Sequence, residues 1–319
     1  MDENEWLAER FEEHRAHLRA VAYRMLGSLT EADDAVQDTW LRLSRSGAGE
    51  VENLGGWLTA IVARVCLNML RARHVRRETS VGLHLPDPLI SPDGELQPEE
   101  EAVLADAVGL ALFVVLDTLV PAERLAFVLH DLFALPFEEI APLVGRTPTA
   151  ARQLASRARR RVKGAEVPEP DPDLARQRAV VDAFFVAARE GDVDALVAVL
   201  DPAVVLRVDA GARRPAASMV IHGAAAVAGQ ALKGLASSIA RPSVHLRPAL
   251  VNGAAGVVVS VGGRPMTVMG FTVAEGKIAA IDAIADPERV LRIAAGVLTN
   301  EEPSGQPGGQ REPPCQAGS

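Results

Sequence analysis

Arg152, Gln153, Arg157 and Arg160 share one stretch, PTAARQLASRARRRVK, from Pro148 to Lys163, with Thr149 and Ser156 beside them. Arginine can pair bidentately with the major-groove edge of guanine, and glutamine with that of adenine. The stretch holds six basic residues and no acidic one, in a chain whose net charge is −9. Ala151, Leu154, Ala155, Ala158 and Val162 fall on the opposite face, so the spacing predicts a helix with one buried side. Just upstream, Phe137, Ile140, Ala141 and Val144 recur at helical spacing. Gly145 then offers a tight turn, Thr147 an N-cap and Pro148 a first helical residue. Two short helices around a glycine turn, the second basic, describe a helix-turn-helix, which lays the start of its second helix in the DNA major groove. Thr147 and Thr149 would hold phosphate near that helix N-terminus. Arg157, Arg160 and Arg161, farther along, would meet the DNA backbone. A blander reading makes the cations a solvated helix end that complements its own dipole. The turn, the cap and the small exposed side chains favour DNA.

The elements around this motif suggest two or three domains in 319 residues. Hydrophobic content of 48% with 24% charged residues is that of a soluble globular protein, and the acidity excludes a chain that coats nucleic acid along its whole surface. Cys66 and Cys315, far apart, suggest neither a disulfide framework nor a metal site, so a reducing cytoplasm is expected and no cofactor or metal. The acidic N-terminus is unlike a secretory signal, and no apolar run is long enough to span a membrane.

Residues 5–77 read as nearly continuous helix, with breaks at Gly27-Ser28 and over Ser44–Gly49, and with Thr30 expected to cap the second helix. The third helix ends in a basic cluster of Arg71, Arg73, His74, Arg76 and Arg77. Residues 78–98, with four prolines, read as a flexible linker. Helices resume over 99–164, and the proline-rich 165–172 ends them. From 173 to 296 two helices precede strand-like runs separated by Asn252-Gly253, Gly262-Gly263 and Glu275-Gly276-Lys277, which predicts an α+β domain. Residues 297–319 read as a disordered tail.

Three ordered blocks carry a resemblance: Tyr23–Leu43, Trp57–Glu78 and Leu119–Val162 resemble the two all-α domains of extracytoplasmic-function sigma factors, the promoter-recognition subunits of bacterial RNA polymerase. The α+β remainder resembles the SnoaL-like (NTF2-like) cone carried by one subgroup. That subgroup's W-L-P-E-P motif keeps only its end in Val167-Pro168-Glu169-Pro170. Its D-G-G-G-K motif stands as Asp209-Ala210-Gly211-Ala212-Arg213, and its N-P-D-K-L motif as Asp286-Pro287-Glu288-Arg289-Val290. The resemblance implies a polymerase-docking surface at Asp33, Asp34, Gln37, Asp38 and Arg42. It implies a single-stranded −10 site at Asn53, Leu54, Trp57 and Asn68, with backbone contacts from Arg64, Arg71, Arg73 and Arg76. Trp57 falls on the apolar stripe with Leu58 and Ile61 and reads as core ahead of stacking platform, so Asn68, whose amide can pair with a base edge, is the stronger candidate. The −35 duplex falls to Thr147, Thr149, Arg152, Gln153, Ser156, Arg157 and Arg160. Regulation in cis would run through Pro168, Glu169, Pro170, Asp209, Arg213, Asp286 and Pro287. The partners implied are core RNA polymerase and promoter DNA, with a small ligand of the cone left open.

Two other classes compete. An enzyme would need a general base in the cone, for which Asp209, Asp282, His222 and His245 are candidates. The one tyrosine, Tyr23, lies outside the cone, so a phenol donor there is excluded. A repressor with a ligand-sensing domain would leave residues 5–77 without a purpose.

Overall fold

A computed structural model describes residues 3–46, 53–77, 83–92, 110–165, 168–236 and 244–295. The first domain packs α1 (Glu3–Leu26), α2 (Leu29–Ser46) and α3 (Leu54–Arg77) around Phe11, Leu18, Met25, Val36, Leu43, Leu58, Val62 and Cys66. α1 stops at Gly27, which sits in the left-handed region at φ +70°. A side chain there would also collide with Pro86, whose Cβ lies 3.0 Å from the place a Cβ would take. The cap of α2 differs from expectation: the helix begins at Leu29, and Ser28 Oγ accepts from the Glu31 amide at 3.5 Å, so Ser28 replaces Thr30 in that role.

The segment expected as a flexible linker is structured where it is described. Residues 83–92 run extended, and Ile90–Pro92 form strand β1, pairing antiparallel with the C-terminal domain. The physical reason lies in its apolar side chains: Leu85, Leu89 and Ile90 are buried against the rest of the chain, and Pro92 is tolerated because β1 is an edge strand.

The second helical domain contains α4 (Leu110–Leu116), α5 (Pro121–Phe127), a π turn at Val128–Leu132, α6 (Phe137–Val144) and α7 (Pro148–Gly164). The part of the predicted helix over residues 99–109 lies outside the described residues, as does the tail expected over 297–319.

The third domain opens with α8 (Leu174–Glu190) and α9 (Val193–Val199), capped by Asp173 and Asp192. Strands β2 (Leu200–Asp209), β3 (Met219–His222), β4 (Val244–Val251), β5 (Ala254–Val261), β6 (Arg264–Ala274) and β7 (Lys277–Ile284) follow, with α10 (Ala224–Ala231) after β3 and α11 (Pro287–Ile293) last. The mixed sheet runs β1-β4-β5-β6-β7-β2-β3, and only β2 and β7 are parallel. This is the α+β cone that the resemblance implies. Alternation sorts its residues onto two faces. Val257, Val259, Met269, Phe271 and Ile281 join Phe184 and Phe185 of α8 in the domain's own core. Ala249, Val251, Val258, Val268 and Ile284 face the other way and share a core with the two helical domains. Gly256 and Gly270 face each other across β5 and β6 on that second side. A Cβ on Gly270 would stand 3.0 Å from Val251 Cγ1 and 3.3 Å from Leu110 Cδ2, so the bare backbone lets α4 approach the sheet.

Candidate functional site

The helix-turn-helix is built from local signals that all agree. Gly145 takes φ +66° after α6, Thr147 Oγ1 accepts from the Ala150 amide at 3.3 Å, and Pro148 opens α7. Ala151, Ala155 and Ala158 are buried without remainder, and their small size draws α7 close to α5 and α6. Thr147, Thr149, Arg152, Gln153, Arg157 and Arg160 are exposed, and Ser156 is half-buried. Arg161, expected near the DNA backbone, instead pairs with Glu123 at 3.1 Å, and Arg159 pairs with Asp131 at 2.8 Å. The guanidinium carbon of Arg152 lies 5.3 Å from the centre of the Phe137 ring.

In the first domain, Asp34 and Gln37 are exposed on α2. Asp33 accepts from Arg19 at 2.7 Å and Asp38 from Arg42 at 2.9 Å. Such exposed pairs contribute about 0.2–1 kcal/mol, so they yield readily to a stronger partner. On α3, Arg64, Asn68 and Arg71 are exposed, and Asn53 Oδ1 caps the helix by accepting from the Gly56 amide at 2.9 Å. The Arg76 side chain lies outside the described residues. Arg73 departs from expectation. Only 19% of its side chain is exposed; it donates to the Leu26 carbonyl at 3.0 Å, pairs with Glu31, and lies 4.0 Å from Asp117. The α1–α2 corner and the second domain hold this cation, so DNA does not meet it in this arrangement. A cavity of about 660 Å³ separates Arg42, Asn53, Trp57 and Arg64 from Glu138, Glu139 and Leu143 of α6. Residues expected to hold single-stranded bases thus face the first helix of the helix-turn-helix.

The two degenerate motifs of the third domain converge on the segment between the helical domains. Asp209 is 1% exposed; its Oδ2 accepts from the Leu85 amide at 2.9 Å and from Arg289 Nη1 at 2.7 Å. Arg289 also donates to the Leu85 carbonyl and pairs with Asp87. Burial alone would raise the Asp209 pKa, but bonds from His84, Leu85 and Gly211 and the charge of Arg289 win, holding its carboxyl well below the usual range. Asp286 caps α11, accepting from the Glu288 and Arg289 amides, and Pro287 begins the helix. Arg213 pairs with Glu288 at 2.6 Å on the open surface, within its own domain. Pro168, Glu169 and Pro170 lead to Asp171, whose amide donates to the Val273 carbonyl at 2.8 Å. This anchors the tether to β6.

Further contacts tie the three domains, and the sequence reading missed them. Asn252 Oδ1 accepts from Tyr23 Oη at 2.8 Å and from the Leu89 amide at 2.8 Å, while the Asn252 amide donates back to the Leu89 carbonyl at 2.8 Å. Asn252-Gly253 was legible as a turn but not as an anchor. Arg124, 1% exposed, donates to Asp117 at 3.0 Å and to the Arg24 carbonyl at 3.4 Å, joining the two helical domains. Arg289 occupies the lysine position of its motif, and that was the available signal.

The candidate catalytic groups do not gather in the cone. Asp282 and Arg207 lie opposite each other in β7 and β2, 3.0 Å apart, on the face turned toward the helical domains. Burial pushes the Asp282 carboxyl up, an effect Arg207 partly offsets. His222 pairs in register with Val205 and His245 with Ser260, also away from the cone's core, and both histidines are exposed.

Comparison with known proteins agrees with this layout. Residues 10–76 match the family model for Sigma-70 region 2, and residues 110–162 that for Sigma-70 region 4. The chain is 37% identical to the ECF RNA polymerase sigma factor SigJ of Mycobacterium tuberculosis, over 88% of this chain and 91% of that protein. It is 36% identical to the probable ECF RNA polymerase sigma factor SigI of the same species, over 66% of this chain and 72% of that one. The crystal structure of M. tuberculosis SigJ superimposes with a TM-score of 0.70 at 34% identity, covering 91% of this chain and 98% of the other. Both helical domains and the α+β cone lie within that match, and the chain belongs to the extracytoplasmic-function RNA polymerase sigma factors.

Proposed function

We propose that this chain joins core RNA polymerase through Asp33, Asp34, Gln37, Asp38 and Arg42, reads duplex −35 DNA with α7, and holds single-stranded −10 DNA with α3. Thr147, Thr149, Arg152, Gln153, Ser156, Arg157 and Arg160 form the first DNA surface. Asn53, Arg64, Asn68, Arg71 and Arg76 form the second, and Arg73 joins them when its pair with Glu31 breaks. The third domain regulates in cis. The observation that carries this is the grip of Asp209 and Arg289 on Leu85 and Asp87, in the segment that joins the two DNA-reading domains. While that segment lies along β4, the two surfaces keep one relative placement. An effector shifts this equilibrium only by preferring one state.

The third domain serves this role without catalysis. Phe184, Phe185 and Phe271 fill its interior, with ring centres 5.4–5.8 Å apart. Asp282, His222 and His245 turn to the opposite face, and the Asp209 carboxylate is bound to Arg289. Transcription by polymerase reconstituted with the full chain and with the Arg289→Ala variant tests the regulatory reading. A released segment should change output from one promoter without changing which promoter is chosen. Identical output from both proteins would end the cis-regulatory reading.

A further inference from the structure

A column of three side chains runs from the π turn to the recognition helix. His130, in the π turn, stacks on Phe137 with ring centres 3.9 Å apart and planes inclined by 29°. His130 Nδ1 is 2.9 Å from the Leu135 carbonyl oxygen, and the Leu135 amide donates to Leu129 at 2.9 Å, which fixes the corner between the π turn and α6. Phe137, the first residue of α6, is 6% exposed. Arg152 lies over the same ring, with the guanidinium carbon 5.3 Å from its centre. The helix therefore treats its arginines differently. Arg159 and Arg161 are held by carboxylates, which take up guanidinium N–H donors. Arg152 has no carboxylate partner among the described residues and is held by a ring.

That difference matters for base reading. A carboxylate partner competes for the fork of N–H groups that would address guanine O6 and N7. An aromatic face attracts the cation through its quadrupole and takes none of those donors. The side chain also loses rotamer freedom before DNA arrives, so less is lost on binding. The geometry points to Phe137 as a positioning residue for −35 specificity: it holds the Arg152 guanidinium for a base edge while leaving its hydrogen-bonding fork open. This rests on the reading of α7 as the −35 reader.

The test is selection from duplex promoter DNA randomised over the −35 element, using polymerase reconstituted with the full chain. Five proteins are compared: the original, Arg152→Ala, Phe137→Leu, Phe137→Tyr and the double variant Arg152→Ala/Phe137→Leu. Arg152→Ala should erase preference at one base position. Phe137→Leu should weaken preference at that same position about fivefold, equivalent to about 1 kcal/mol, with the salt dependence of binding unchanged. Phe137→Tyr, which keeps the ring, should restore it. The double variant Arg152→Ala/Phe137→Leu should be no less selective than Arg152→Ala alone. If Arg152→Ala leaves every position unchanged, the base-reading role fails and the positioning role falls with it. If Arg152→Ala acts and Phe137→Leu does not, the positioning role alone is overturned. A Phe137→Leu loss spread evenly over all positions, or a loss that Phe137→Tyr shares, would mark Phe137 as core packing and overturn it as well.

Discussion

The recognition helix turns Arg152, Gln153, Arg157 and Arg160 to solvent, whereas Asn53, Trp57 and Arg64 of the first domain face Glu138, Glu139 and Leu143 across a shared cavity. One surface is a convex helix whose readiness depends on its own cap and turn. The other depends on where a neighbouring domain stands. A rigid helix presented to solvent can meet a duplex without rearrangement. On the proposed reading, a surface that takes up unstacked bases needs an opening, and the opposite wall here is an acidic helix N-terminus of the same chain. On that reading, control of placement between domains acts on the second surface far more than on the first.

Arg289→Ala should break this asymmetry most strongly. It leaves the Asp209 carboxylate buried without its cation, a change that typically costs about 3–5 kcal/mol. Hydrogen exchange should show residues 85–92 losing protection and residues 54–64 following, while residues 148–164 stay as they were. Continued protection over 54–64 would mean that the second domain covers α3 without help from the clamp. Gly270→Val comes next. A Cβ at this position presses on Val251 and Leu110, and overpacking of this kind costs roughly 1–3 kcal/mol. The expected result is a lower melting temperature with the second domain detached from the sheet, read as loss of protection over 110–116.

Two aspartates sharpen the comparison through pH. The Asp209 carboxyl is depressed in the folded chain, so its contribution is present above the unfolded value of about 3.9 and is lost as pH falls below it. Asp209→Asn should lower the urea midpoint at pH 7, and the gap to the original chain should close in acid. Asp282 is shifted the opposite way, so its contribution is present below that unfolded value and is lost as pH rises through the folded one. Asp282→Asn should cost less than Asp209→Asn at pH 7. The smallest effect is expected from Tyr23→Phe, which removes one bond to Asn252 while the Leu89 amide still supplies another. A loss of about 0.5–1.5 kcal/mol is expected in equilibrium unfolding.

Local signals made most of the fold legible. The cap at Thr147, the turn at Gly145 and the alanine stripe of α7 are short-range, and each occurs in the structure. The glycine turns of the third domain separated its strands equally well, since Asn252, Gly253, Gly262, Gly263 and Gly276 all take positive φ. The segment over 78–98 was misread because proline content signals the absence of helix and says nothing about pairing with a strand more than 150 residues away. The partner of Arg73 was hidden for a related reason. A basic cluster at a helix end looks the same in sequence whether water, DNA or Glu31 receives it. Arg289 and Asn252 were visible as motif and turn, but their partners, Asp87 and Tyr23, lie 202 and 229 residues away along the chain.

Tyr23 gives the chain a built-in optical and magnetic gauge. It is the one tyrosine in the sequence; its hydroxyl bonds to Asn252 of the third domain and its ring lies 5.0 Å from that of Phe113 in the second. Selective isotopic labelling of tyrosine would therefore produce one set of ring signals, with no assignment problem and no attached dye. Burial pushes the phenol's pKa up, so a closed molecule resists forming tyrosinate at a pH where an opened one ionises. The tyrosinate absorbance at fixed alkaline pH then counts opened molecules directly, and the same ring can be followed while polymerase or DNA is added.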